Sequence, residues 1–317
     1  MMDVLLVGAG YMAKEYVKVL DALNVNYSVV GRSKESGKNF EAETGKSVLI
    51  GGLETVFEAN FLNPTHAIIA TSLESLEENT LYLLQKGIRN ILVEKPASVT
   101  YEGMQKIGTA AEKYHAKVYI AYNRRFYASV MKAEKLIEKD GGLQSFSFEF
   151  TEWSHVVENL NKTTFQLNNW FIGNSTHVLD TAFYIGGRPK EIKSFVQSKL
   201  DWHPKGSIFV GAGVTEQDIP FSYHANWQAP GSWKLELLTH KNRYIFRPFE
   251  KLHVQRLGQI SIEEICISDE LDSKYKPGLY EQTNAFLFNT SLSSNLLDIN
   301  TGLEMVEIYE RMNGVER

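Results

Sequence analysis

The sequence has a single cysteine, Cys266, in 317 residues, so no disulfide can close within the chain and a reducing, cytoplasmic setting is expected. It has no apolar run approaching the ~20 residues that cross a bilayer, so no membrane-spanning helix is expected. It has no basic run, and a formal charge of −5 argues against a nucleic-acid partner. Internal repeats and low-complexity tracts are missing too. No basic leader precedes the first apolar run, residues 4–7, which is expected to be a strand rather than a targeting segment. The triplets at Asn161, Asn174 and Asn289 match the glycosylation pattern, but without a secretion signal chance accounts for them. What is left is an ordinary globular composition, 43% hydrophobic and 22% charged, long enough for two domains or one large one.

The first 120 or so residues alternate short apolar runs with helical patterns. Strands are expected at 4–7, 27–30, 67–70, 91–93 and 117–121. Between the first two, Ala13, Tyr16, Val17, Leu20 and Leu23 recur at helical spacing. This βαβ alternation predicts a mainly parallel sheet covered on both faces. After residue 122 the texture changes. Phe146, Phe148 and Phe150 alternate with Ser145, Ser147 and Glu149, as do Tyr223, Ala225 and Trp227 with their neighbours. A turn at 229–232 leads to Trp233, Leu235 and Leu237, and further strands are expected at 244–246, 252–254 and 262–267. An amphipathic helix is expected over 296–312. The predicted fold is α/β: a Rossmann dinucleotide-binding domain over 1–121, then an α+β domain over 122–317 with a large, mainly antiparallel open sheet.

Gly8-Ala9-Gly10-Tyr11-Met12-Ala13 lies between the first strand and the first helix, where a G-x-G-x-x-A turn binds a pyrophosphate. Gly8 permits the tight turn, Gly10 lets the backbone approach the phosphates, and Ala13 keeps helix and strand close. The anion would rest on the free N–H groups of the helix N-terminus. At the end of the second strand an acidic residue would accept hydrogen bonds from the ribose 2′-hydroxyl. Here Gly31 removes that acid, and Arg32, Ser33 and Lys34 supply charge and donors suited to a 2′-phosphate. NADP is therefore expected in preference to NAD; a solvated basic loop that tolerates either is the plainer alternative. Thr44-Gly45-Lys46-Ser47 ends like a P-loop, but the first glycine that motif needs is Phe40, so no nucleoside triphosphate site is expected.

Ile91-Leu92-Val93-Glu94-Lys95-Pro96 ends a strand with a lysine that Pro96 biases away from helix. In an open α/β sheet that end is where ligands bind, and a lysine beside a nicotinamide can pass a proton to or from an alcohol oxygen. Surface punctuation is the plainer reading of Lys-Pro alone. With GAGYMA (8–13), AIIATS (67–72), VEKP (93–96), YNRRF (122–126) and NSTHVLD (174–180) in this order, the chain resembles the Gfo/Idh/MocA oxidoreductase family over nearly its whole length.

The resemblance implies a Rossmann domain, a sheet-rich second domain, and NAD(P)-dependent redox chemistry on sugars, inositols or sugar nucleotides. It implies that Lys95 contacts substrate and nicotinamide, that Tyr122, Asn123 and Arg125 lie near the cofactor, and that His177 is an active-site histidine. The i,i+3 spacing then suggests that Asp180 orients His177. The expected catalytic residues are Lys95, His177 and Asp180. The expected cofactor ligands are Gly8, Gly10, Tyr11, Met12, Arg32, Ser33, Lys34, Thr71, Glu94, Lys95 and Asn123; the expected substrate ligands are Lys95, Tyr122, Arg125, Trp170, Asn174 and His177. No metal is expected.

Two departures stand out. Many relatives carry an Asp where this chain has Gly173, which Asn174 only partly replaces, and Leu76 stands where relatives often have a histidine. They lean the chemistry toward Lys95 as the main proton donor. Between Glu158 and Trp170, Asn159, Asn161, Thr163, Thr164, Gln166, Asn168 and Asn169 suit sugar hydroxyls, or simply a solvated loop; Trp153 and Trp170 flank them. The expected activity is NADP-dependent hydride transfer to or from a sugar-like small molecule, most readily carbonyl reduction. A non-catalytic NADP-binding sensor and an NAD-dependent glycosidase are the alternatives. A homodimer or homotetramer is expected, because apolar residues on an uncovered sheet face would need a partner.

Overall fold

The computed structural model describes residues 3–59 and 63–315. The chain divides into two compact units, Met1–Asn123 with Leu271–Glu304, and Arg124–Glu270 with Met305–Arg317. The tract expected as one domain, 122–317, is thus shared between the units.

In the first unit the strands are β1 (Asp3–Val7), β2 (Asn26–Gly31), β3 (Val48–Ile50), β4 (His66–Ile69), β5 (Asn90–Glu94) and β6 (Lys117–Ala121). They pair in parallel in the order β6-β5-β4-β1-β2-β3, and the short strand Leu297–Asp298 adds to β6 in antiparallel register. Val4, Leu5, Leu6 and Val7 are all buried, as are Ile91, Leu92 and Val93. A parallel sheet is covered on both faces, so its strands are continuous apolar runs, and that is the pattern the sequence carries. β3 had no such signal, because only Val48 of its three residues is buried. Strand order reverses between β1 and β4, which opens a crevice at the carboxyl ends of the strands. Helix α1 (Tyr11–Ala22) leaves β1 there, and α2 (Lys34–Thr44) leaves β2 on the same edge.

In the second unit the strands are β7 (Ser145–Phe150), β8 (Pro189–Gln197), β9 (Ile208–Thr215), β10 (Pro220–Asn226), β11 (Trp233–Leu238), β12 (Asn242–Phe246), β13 (His253–Arg256) and β14 (Glu263–Glu264). They form one sheet in the order β14-β13-β12-β11-β7-β10-β9-β8, antiparallel except where β7 meets β10. The helix Thr176–Gly186 covers one face. There Phe183 sets its ring edge against Phe146, Phe148 and Phe221, with centroids 5.2–6.2 Å apart. Such aromatic pairs add about 0.5–1.5 kcal/mol each beyond the area they bury. The strand expected over 262–267 shrinks to two residues, and Ile262 is exposed. The closing helix starts at Ile299, because Asp298 accepts from the N–H groups of Asn300 and Thr301 and so fixes the cap.

The opposite sheet face is more polar than expected. Ser145, Ser147 and Glu149 are half-buried there and Ser222 and His224 exposed, while Phe195 and Val210, cross-strand neighbours, are its exposed large apolar side chains among the described residues.

Candidate active site

Gly8 has φ +125°, and a Cβ placed on it would lie 2.4 Å from the carbonyl oxygen of Ala70. No other residue fits, because both the left-handed backbone and the close approach to β4 exclude a side chain. The Gly8 N–H donates to Val30 O at 2.8 Å, so the turn is tied to β2. Gly10 caps α1 with no side-chain hydrogen bond, no acidic residue lies in the first turn, and a Cβ on Gly10 would meet nothing within 4 Å. Among the described residues the N–H groups at the start of α1 therefore have no competing side-chain acceptor, and Ala13 is fully buried beneath them. Tyr11 is 65% exposed and Met12 partly so. The Lys276 ammonium lies 5.4 Å from the Tyr11 ring centroid, bringing a cation to the mouth of the turn. This cradle suits a pyrophosphate.

At the end of β2, a Cβ on Gly31 would come within 2.9 Å of Val48 Cγ1 and 3.3 Å of Ala9 Cβ. Glycine here thus has a packing reason as well as the electrostatic one. Arg32 and Lys34 are exposed, and their ends are free to move toward an anion. Ser33 is the N-cap of α2: its Oγ accepts from Ser36 N at 3.2 Å and shares a hydrogen bond with Ser36 Oγ at 2.8 Å. That commits much of its hydroxyl to the helix and leaves Arg32 and Lys34 as the principal cations of this edge.

Thr71 follows β4 and accepts from Asn79 Nδ2 at 3.2 Å. Glu94, the last residue of β5, is buried and accepts from the Tyr16 hydroxyl at 3.0 Å. Burial pushes its carboxyl up, while the ammonium groups of Lys95 and Lys276 pull it back. The same burial, with Glu94 adjacent, pushes the Tyr16 hydroxyl well up. Lys95 comes next, half-buried at the carboxyl end of β5, followed by Pro96 on a cis peptide bond. Tyr122 is buried. Asn123 is buried too, and its amide donates to Pro277 O at 2.9 Å, anchoring the loop that precedes the helix Leu279–Phe288.

In the second unit the Asp180 pairing differs from expectation. Arg125 donates to both its oxygens, Nε to Oδ2 at 2.9 Å and Nη2 to Oδ1 at 2.6 Å. Asp180 therefore serves the guanidinium rather than orienting the imidazole. Arg125, expected to bind substrate, is held in a buried ion pair and stacks on Tyr184 at 4.8 Å. The physical reason is burial: Asp180 is 1% exposed, which pushes its carboxyl up, and the planar fork of Arg125 is the opposing charge. Spacing along one helix could not disclose a partner 55 residues away.

His177 lies in the first turn of the helix Thr176–Gly186, directly after a π-helical turn, Phe171–Ser175. Such turns are rare and occur often at functional sites. This one presents Asn174 and Ser175 to Glu152, which is buried: Asn174 Nδ2 donates at 3.0 and 3.2 Å and Ser175 Oγ at 2.8 Å. Burial pushes the Glu152 carboxyl up, against those hydrogen bonds and the nearby indoles of Trp170 and Trp233. Trp170 packs edge-on against Trp202, with centroids 6.3 Å apart. His177 lies 6.2 Å from the Trp233 ring, and the Arg124 guanidinium lies 4.9 Å from that ring and 5.6 Å from Tyr127. Trp153, by contrast, is 57% exposed, with its indole N–H on Gly231 O.

Sequence reasoning missed Glu152, Trp233 and Arg124. For Glu152 a signal existed: it continues the inward parity of Phe146, Phe148 and Phe150, so a charge stands on the buried side of that alternation.

The sequence from 2 to 122 matches the model of the oxidoreductase family, NAD-binding Rossmann fold. No curated protein matches the sequence. Several solved structures share the fold over almost the whole chain. A levoglucosan dehydrogenase in complex with NADH is 16% identical, with TM-score 0.80 over 98% of this chain and 95% of that one. UDP-N-acetylglucosamine 3-dehydrogenase from Acidithiobacillus ferrooxidans is 12% identical, with TM-score 0.76 over 99% and 97%. An oxidoreductase from Agrobacterium radiobacter, in complex with NAD+, L-tartaric acid and magnesium, is 13% identical, with TM-score 0.77 over 98% and 94%. The glycine turn and the parallel sheet agree with that match: residues 2–122 carry the NAD-binding Rossmann fold that the Gfo/Idh/MocA oxidoreductase family model describes.

Proposed function

We propose that the chain is an NADP-dependent oxidoreductase that reduces a carbonyl of a sugar, sugar nucleotide or related polyhydroxylated small molecule. The observation that carries this reading is the uncapped N-terminus of α1 behind Gly8 and Gly10, followed at the end of β2 by Gly31, Arg32 and Lys34 in place of an acid. A bound nicotinamide would supply the redox step. The chain's own residues do the rest. The first N–H groups of α1 bind the pyrophosphate, and Arg32 and Lys34 neutralise the 2′-phosphate. Lys95 holds the proton delivered to the carbonyl oxygen. His177 and Asn174 bind substrate oxygens; the Asn174 amide is oriented by its donation to Glu152, which leaves its Oδ1 as an acceptor. The sugar-directed names of the levoglucosan and UDP-N-acetylglucosamine dehydrogenases support the substrate class. Reduction is the favoured direction because cellular NADPH pools drive it.

Titrating the protein with NADPH and with NADH, followed by coenzyme fluorescence, tests the coenzyme assignment. NADPH is expected to bind more tightly. Arg32→Ala should weaken NADPH by about 10- to 100-fold, the worth of a charge-assisted hydrogen bond, and leave NADH within about twofold. Equal weakening of both coenzymes would remove Arg32 from 2′-phosphate recognition. The proposal includes a homodimer or homotetramer covering the sheet face that carries Phe195 and Val210. Sedimentation at micromolar concentration should then give a multiple of 36.0 kDa, and a lone 36.0 kDa species would exclude it.

A further inference from the structure

We infer that Arg124 is the anion anchor of the substrate site in the second unit, so that the substrate is a polyol bearing a carboxylate or phosphoryl group. This deepens the proposed function and rests on it for the identity of the site.

Arg124 and Arg125 are adjacent on one short 3-10 turn, Asn123–Phe126, and at about 120° per residue their side chains leave the turn in different directions. Their environments differ accordingly. Arg125 enters the core and is neutralised by Asp180 through two hydrogen bonds. Arg124 lies between two aromatic rings, 4.9 Å from Trp233 and 5.6 Å from Tyr127. Among the described residues it has no carboxylate within ion-pair distance, and its buried Nε–H makes no hydrogen bond.

The carboxylates that could have served it are taken. Asp180 feels its charge but is bound by Arg125, and Glu152, whose carboxyl interacts with the Trp233 indole, is held by Asn174 and Ser175. A guanidinium flanked by ring faces is partly stripped of water, and a buried N–H without an acceptor is costly. An oxyanion relieves both. The Trp233 ring that carries Arg124 also lies 6.2 Å from His177, so an anion on Arg124 would place the rest of a substrate near the imidazole. Carboxylates and phosphoryl groups both match the planar donor fork. Neutral sugars do not.

The test measures binding of D-glucuronate, D-glucose 6-phosphate and D-glucose to the NADPH-saturated protein by calorimetry. At least one anionic probe should bind about tenfold or more tightly than D-glucose, and the advantage should shrink as salt is raised. Which one does so separates a sugar acid from a phosphorylated sugar. Arg124→Gln should reduce the advantage to within about twofold, while Arg124→Lys, which keeps the charge without the fork, should retain part of it. Thermal melts of both variants show whether either fails to fold, and the salt dependence of the unmodified protein tests the anchor without any variant. The inference is overturned if D-glucose binds as well as both anions, if neither anion binds, or if Arg124→Gln keeps the advantage. NADPH titration of the same protein keeps the two readings apart. Failure to bind NADPH or NADH, with anion preference intact in the coenzyme-free protein, sinks the proposed coenzyme-dependent reaction alone; coenzyme binding with no anion preference sinks the anchor alone.

Discussion

Lys95→Ala is expected to lower kcat by about two to four orders of magnitude, the usual contribution of a positioned general acid. NADPH affinity should stay within about threefold, because the proposed phosphate cradle is Gly8, Gly10 and the start of α1 rather than this side chain. The melting temperature should change little, since Lys95 is half-buried at a strand end and not part of the packed core. Stopped-flow measurement of NADPH oxidation at saturating substrate reads the first quantity, and fluorescence titration the second. A variant that turns over at the original rate would take Lys95 out of the chemistry. A variant that loses NADPH binding in parallel would assign it to the coenzyme instead.

The second large effect is on stability. Asp180→Ala leaves the Arg125 guanidinium buried without its counter-charge, and about 3–5 kcal/mol of stability should be lost. Arg125→Met should cost a similar amount for the mirror-image reason. The double replacement Arg125→Met with Asp180→Leu should recover most of the loss, because removing both charges leaves no uncompensated ion. Urea unfolding followed by tryptophan fluorescence suits the test: all five tryptophans, Trp153, Trp170, Trp202, Trp227 and Trp233, lie in the second unit with the pair. If Asp180→Ala instead left the unfolding midpoint unchanged and abolished turnover, the carboxylate would be serving His177 after all.

The match between pattern and structure is uneven along the chain, for physical reasons. The glycine turn, the buried strand runs and the strand-end lysine are encoded by residues next to one another. Backbone sterics at Gly8 and the apolar continuity of Val4 to Val7 act locally, so they can be read without knowing the partners. The phenylalanine alternation of β7 is local in the same sense. The two-residue strand Leu297–Asp298 is not, since only pairing with Tyr119 and Ile120 makes it a strand.

The amino-acid order alone determined the parallel sheet, the glycine turn after β1, the missing acid at Gly31 and the place of Lys95, because each follows from short-range sterics or periodicity. Only tertiary structure decided which charges meet. It gave Asp180 to Arg125, tied Glu152 to Asn174 and Ser175, and left Arg124 between two rings. Burial raises the cost of every unpaired charge, and the partner that satisfies it is chosen by proximity in space, across separations that no local pattern records.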